Sequence, residues 1–260
     1  MLTIKQFASI PAGTDLTALY RAAVGDYPKF FKMDTASKLG FLLAEQLADE
    51  PRFVPREDRA VLMFSTCGCL CNDLHYEETV KDFPSPALFV YTLPNIITGE
   101  IAIRNKYEGE TSAYVLERFD PAQFAALVEQ AFQDGVTGSA LCGWVDARSE
   151  GDFTAFAFLV ERDGNGLEFS VETYMEQLIE EIKLKLIDAL NLDGMTPADI
   201  DNDAPLFGDE GLGLDSIDVL ELIVLLERNY GIRLANPQEG KKVFQSVAVM
   251  ADYVAANRTK

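Results

Sequence analysis

The chain has 260 residues, 42 acidic against 22 basic, one His, and a net charge of −20. That balance argues against a nucleic-acid binder and an anionic-membrane binder, because affinity for phosphate needs clustered Lys and Arg. A single His, His75, also excludes any mechanism that needs two, a zinc site held by a His pair included.

In chain order, the first half alternates two kinds of apolar pattern. Helical spacing predicts helices over Ala36–Leu47, Asn95–Ile103 and Pro121–Phe132, with Asp120 capping the last and Pro121 at its first turn. Short apolar runs predict buried strands at Ala60–Phe64, Ser139–Trp144 and Phe153–Val160. Residues 163–166 (Asp-Gly-Asn-Gly) predict a turn closing a hairpin between 153–162 and 167–171. The pattern points to an α/β layered domain over 1–163 and a short linker over 164–174.

From 175 to 260 the expectation is all-helical. Leu178, Ile182, Leu186, Ile187 and Leu190 keep helical spacing, and a Gly-, Pro- and Asp-bearing loop follows from Asn191 to Leu214. A second helix runs from about Ser216 to Tyr230, ended by Gly231, and a last one covers Ser246–Asn257. On the second helix Val219, Leu222, Ile223 and Leu226 face inward, while Asp218, Glu221 and Glu227 face solvent. Asp215 or Ser216 caps it. A serine hydroxyl there sits at the positive end of a helix, where free N–H groups stabilise a phosphodiester.

This half, with Asp201–Leu206, then Leu214-Asp215-Ser216-Ile217, then Glu227–Ile232, resembles an acyl carrier protein. The resemblance implies an all-α four-helix bundle with 4′-phosphopantetheine, taken from coenzyme A, on Ser216 beside Asp215. It implies a phosphoprotein that carries acyl thioesters in fatty-acid or polyketide-type biosynthesis. Its partners would be a phosphopantetheinyl transferase, then ketosynthases and other acyl-processing enzymes whose basic patches meet Asp218, Glu221 and Glu227. The 16 acidic and 8 basic residues of 175–260 suit such partners. Leu206, Phe207, Ile217, Leu220, Ile223 and Val243 are candidates to line an acyl cleft.

Residues of about 30–162 resemble the N-terminal half of a β-ketoacyl-acyl-carrier-protein synthase, of the thiolase fold. The segments that carry this are Phe83–Asn95 (FPSPALFVYTLPN) and Gly99–Arg104 (GEIAIR), continuing to Gly109. Such synthases place a Cys nucleophile shortly after that Gly, between a strand and a helix. Here the position falls at Arg118-Phe119, and no Cys lies between 72 and 141. The family's catalytic His residues have no counterpart either. The resemblance thus implies a non-catalytic half-domain used for docking or dimerisation. A lone half exposes an apolar face, which predicts a homodimer or a heterodimer with a related subunit. The alternative is a divergent synthase whose nucleophile has moved to Cys67, Cys69, Cys71 or Cys142.

The remaining candidates read as structure. Cys67, Cys69 and Cys71 alternate along the chain, which permits a metal or redox site but favours small buried thiols. Asp199, Asp201, Asp203, Asp209 and Glu210 lack the Gly and terminal Glu of a calcium loop, so a solvated acidic loop is expected. His75 is expected at the surface. With no signal-peptide pattern, no long apolar run and four Cys, too few for a disulfide scaffold, the expected location is the cytoplasm.

Overall fold

The computed structural model describes every residue except Asp193, 209–210, 235–239, 241 and 259–260. The chain packs as two compact units: Met1–Glu117 with Gln123–Phe169, and Arg118–Ala122 with Ser170–Lys260.

The first unit is built on a six-stranded mixed sheet. Its strands are β1 (Leu2–Ile10), β2 (Arg59–Ser65), β3 (Thr111–Val115), β4 (Ser139–Ala147), β5 (Phe153–Arg162) and β6 (Leu167–Glu168), in the order β3-β2-β4-β5-β1-β6. The β2–β3 and β2–β4 pairs are parallel, and the other pairs antiparallel. All residues of β2 and β4 are buried, which is why they read as continuous apolar runs.

Helices α1 (Leu16–Ala23), α2 (Thr35–Leu47) and α5 (Ile96–Asn105) supply Leu16, Leu39, Leu43 and Ile101 to one core, against Val61, Met63, Leu141 and Val145 of the sheet. Helix α6 (Pro121–Ala131) brings Phe124 within 4.6 Å of Phe64 and 6.3 Å of Phe158, ring to ring. Helices α3 (Leu70–Val80) and α4 (Pro86–Val90) form a hairpin between β2 and α5.

The expected hairpin from β5 through 163–166 is corrected. The segment after the turn pairs with β1, not β5: Thr3 faces Glu168 and Ile4 faces Leu167. The turn steps over the end of β1, where Asp163 N–H donates to Met1 O and the Asp163 carboxylate binds the terminal ammonium at 2.9 Å. The stretch 164–174, expected as a tether, therefore carries β6 and the first turn of the next helix.

The second unit contains three long helices among the described residues: α7 (Val171–Ala189), α8 (Asp218–Tyr230) and α9 (Val247–Asn257). Leu178, Ile182 and Leu186 of α7 pack with Leu222, Leu225 and Leu226 of α8 and with Met250, Ala251 and Val254 of α9. Gly231 (φ +67) closes α8, its N–H donating to Glu227 O at 3.1 Å. Among the described residues no helix is long and apolar enough to cross a membrane.

Candidate functional site: Ser216 and its helix

The loop before α8 is clamped at both ends. Leu206 N–H donates to Gln245 O at 3.1 Å, and Leu214 N–H donates to Leu206 O at 3.2 Å. Leu206 and Leu214 are both buried, so these two bonds anchor the loop in the core. Gly211 passes so close to Pro205 that a Cβ would stand 1.6 Å from its carbonyl oxygen; only glycine fits.

This clamp delivers Asp215 and Ser216 to the start of α8. Asp215 Oδ1 accepts from Ile217 N–H at 2.6 Å and from Asp218 N–H at 3.4 Å. Asp218 Oδ2 in turn accepts from Asp215 N–H at 2.7 Å. The cap is thus Asp215, in a reciprocal arrangement with Asp218. Ser216 is exposed, and its hydroxyl makes no hydrogen bond among the described residues.

An open cleft of about 890 Å³ lies beside Ser216, walled by Pro205, Phe207, Leu214, Val219, Phe244 and Val249, with Asp203, Gln245 and Ser246 also lining it. Of the residues expected to line an acyl cleft, only Phe207 does so. Leu206 and Val243 are core, Ile223 is half-buried, and Ile217 and Leu220 are 69% and 62% exposed. The reason is rotational: Ile217 and Leu220 stand on the outer face of α8, and the cleft is closed instead by residues preceding α8 and at the start of α9.

Of the expected docking carboxylates, Glu221 and Glu227 are exposed and Asp218 is half-buried. Asp218 is engaged in the cap, and Glu227 pairs with Arg233 at 2.7 Å. Glu221 is exposed and free of side-chain partners among the described residues.

Residues 181–238 match the family described as "Phosphopantetheine attachment site". This segment is a phosphopantetheine-binding domain. Its prosthetic group is 4′-phosphopantetheine, and the site fits that group: an uncommitted, exposed hydroxyl at a helix start, ahead of an apolar cleft. Solved structures similar to this chain include a ketosynthase in complex with its chain length factor from Xenorhabdus doucetiae (16% identity over 63% of this chain and 80% of that one, TM-score 0.47). Others are the ishigamide ketosynthase/chain length factor (15%, covering 94% and 77%, TM-score 0.48) and a β-ketoacyl synthase from Burkholderia phymatum (13%, covering 62% and 59%, TM-score 0.44).

Outside the phosphopantetheine-binding domain, the strand-to-helix turn after β3 holds Arg118, exposed, with no thiol near it in sequence. Burial raises all four thiols above the ordinary cysteine value. Burial, then the Asp146 charge, pushes the Cys67 thiol up to about 11. Burial, then Asp34 and Asp73, pushes Cys69 up to about 12. Burial raises Cys71 and, fully enclosed in β4, Cys142. Cys67 serves a structural hub: buried Asp146 accepts from Thr66 N–H (2.6 Å), Thr66 Oγ1 (2.8 Å), Cys67 Sγ (3.3 Å) and Trp144 Nε1 (3.2 Å), fixing the turn from β2 into α3.

Among the described residues no cluster of His, Cys, Asp and Glu could hold a metal ion. In the acidic loop, Asp199 accepts from Thr196 N–H and Oγ1, and Asp201 from the N–H groups of Asp203 and Ala204. These carboxylates build turns; Asp209 and Glu210 lie outside the described residues. His75 is exposed.

Proposed function

We propose that this protein is an acyl carrier whose arm is attached at Ser216, joined to a non-catalytic synthase-like domain that docks it to its enzymes. The observation that carries the reading is the division of labour at α8: Asp215 takes the cap and leaves the Ser216 hydroxyl free, inside the segment that matches the phosphopantetheine family. The carrier domain is assigned to 175–260, the synthase-like domain to 1–163, and 164–174 joins them.

A phosphopantetheinyl transferase loads the arm from coenzyme A. Ketosynthases and related acyl-processing enzymes then meet the acidic α8, where Glu221 is the carboxylate free to pair with their basic patches. The pathway is fatty-acid or polyketide-type, and the cytoplasm is its setting, in keeping with four free thiols. Support for the synthase-like part comes from residues 83–109 and from the thiol-free turn at Arg118. Decarboxylative condensation needs a thiolate to hold the acyl group, and none of the four thiols ionises readily.

The test is intact mass after incubation with coenzyme A and a phosphopantetheinyl transferase. One phosphopantetheine adduct is expected on the wild type and none on Ser216→Ala. An adduct that persists in Ser216→Ala overturns the assignment.

A further inference from the structure

The turn from β3 into α6 holds a phenylalanine where the synthase resemblance places a nucleophile. Phe119 is 4% exposed, the one buried residue of Arg118–Ala122. Connecting turns run over the surface, so a large ring buried in one needs a seat. The turn itself is well formed: Asp120 Oδ1 accepts from Ala122 N–H at 2.9 Å, at the start of α6.

The seat is made by the second unit, with which Arg118–Ala122 pack. The Phe119 ring lies 5.4 Å from the ring of Tyr174, near the start of α7. The guanidinium of Arg258, the residue that ends α9, stands 5.9 Å from the Phe119 ring and 5.9 Å from the ring of Tyr230, the last residue of α8. Both distances are within reach of a cation–π attraction. Arg258 Nη1 donates to Tyr174 Oη at 3.3 Å, and Tyr230 Oη donates to Glu181 Oε1 at 3.1 Å. The ends of three helices thus converge on one aromatic seat, held in shape by its own hydrogen bonds, and Phe119 fills it.

The seat lies at the end of α8, whereas Ser216 precedes its start. From Asp218 to Tyr230 the helix rises about 18 Å. None of Phe119, Tyr174, Tyr230 and Arg258 lines the cleft beside Ser216. The chain passes between the two units at 117–118, 122–123 and 169–170. The seated turn therefore adds a second attachment to the one at 169–170.

We propose that Phe119 is an anchor: the turn Arg118–Ala122 plugs the seat of Tyr174, Tyr230 and Arg258 and secures the carrier by the end remote from Ser216. The carrier is then a discontinuous domain, closed by a segment from the other half of the sequence, and does not hang from residues 164–174 alone. This rests on the carrier reading for the role of what is held.

The test is limited trypsin digestion of the full chain, read by intact mass. Arg118 is exposed, so the 118–119 bond is cut in proportion to the time the turn spends out of its seat. The wild type should resist cleavage there. Phe119→Ala should be cut about tenfold faster or more, and Phe119→Leu, which keeps apolar bulk, should fall between. Arg258→Met leaves the cleavage site as it is and should also speed the cut. In the double variant Phe119→Ala with Arg258→Met the rate should not exceed that of Phe119→Ala, because both remove one interaction. Equal rates in the wild type and Arg258→Met, matched by circular dichroism, overturn the proposal. So does a wild type cut as fast as Phe119→Ala. Loading of Ser216 from coenzyme A should keep its wild-type rate in Arg258→Met; a large loss there would make the seat a support of Ser216 and not a remote anchor. A wild type that takes no arm would overturn the carrier reading and leave the digestion result standing.

Discussion

Asp215 and Asp218 hold each other's main chain: Asp215 Oδ1 accepts from Asp218 N–H, and Asp218 Oδ2 accepts from Asp215 N–H at 2.7 Å. Between them Ser216 contributes nothing to the cap. Stability and modification should therefore separate at adjacent positions. Asp215→Ala should cost about 1 kcal/mol, the usual loss on removing a cap, seen as a lower Tm. Ser216→Ala should leave Tm unchanged while abolishing the mass gain with coenzyme A. A drop in Tm for Ser216→Ala as large as that for Asp215→Ala would show that the serine is a structural cap.

The loop that presents Ser216 makes a second demand. Gly211→Ala forces a Cβ onto the Pro205 carbonyl. The backbone must move, at about 2 kcal/mol by analogy with overpacked sites, and with it the strap from Pro205 to Leu214. Gly213 is different: it sits at φ +69 with open space around it, so Gly213→Ala should cost only the left-handed strain of about 1 kcal/mol. Chemical denaturation should rank Gly211→Ala below Gly213→Ala, and the rate of modification at Ser216 should follow the same order.

In the first unit the strongest electrostatic commitment is Arg59. Its guanidinium is wholly buried on β2, donates to both oxygens of Asp49 at 2.6 and 3.2 Å, and donates to Ser139 Oγ at 2.9 Å. Burial alone would raise the Asp49 carboxyl, but the hydrogen bonds from Arg59 and Lys5 hold it well below the usual carboxylate range. A carboxyl depressed in the folded state adds stability that is complete above its unfolded value, near 3.8, and is lost as pH falls below it. Unfolding midpoints should thus be flat from about pH 7 to 5 and decline toward pH 3, with a shallower decline in Asp49→Asn. At neutral pH that variant should lose about 3 kcal/mol, because it strands a buried charge. An unchanged acid slope in Asp49→Asn would rule out this pair as its source.

The thiols give a simple check on the rival, enzymatic reading. With Cys67 and Cys69 pushed up to about 11 and 12, the thiolate fraction at neutral pH is far below that of a free cysteine. Iodoacetamide should label Cys67, Cys69 and Cys71 more slowly than glutathione, and Cys142 only after unfolding. One cysteine that reacts faster than free thiol and takes up an acyl group would restore a catalytic role.

The sequence made some elements legible and hid others, for reasons visible in their burial. β2, β4 and β5 were readable because nearly every residue is inside. β1 was hidden: Lys5, Gln6 and Phe7 are exposed in succession, and a bulge between Ile4 and Gln6 breaks the alternation. β3 was missed because a five-residue edge strand of Thr, Ser, Ala, Tyr and Val carries little apolar signal. α3 and α4 were missed because a hairpin that buries only Asn72 has no inward face to read. At the site, Ser216 was legible from its neighbours, but Asp215 and Ser216 are both good caps, and only the hydrogen bonds assign the task to Asp215. The cleft beside Ser216 was not legible, because helical spacing identifies the faces of α8 without saying which face the preceding loop covers.

The lining of that cleft leads to a prediction about cargo. If an acyl chain on the arm enters the cleft, it meets Leu214, Val219 and Val249, not Ile217 and Leu220. Loading Ser216 from octanoyl-coenzyme A should shift the methyl resonances of Leu214, Val219 and Val249, while acetyl loading, too short to reach inside, should leave them in place. Ile217 and Leu220 lie on the exposed face of α8 and should respond to neither. Val249→Trp puts a large ring into the space beside Phe207 and Phe244. It should erase the octanoyl response without slowing attachment of the arm, because the serine hydroxyl and its cap are untouched. Shifts confined to Ile217 and Leu220 would instead place the chain along the outside of α8, where it would compete directly with partners for Glu221.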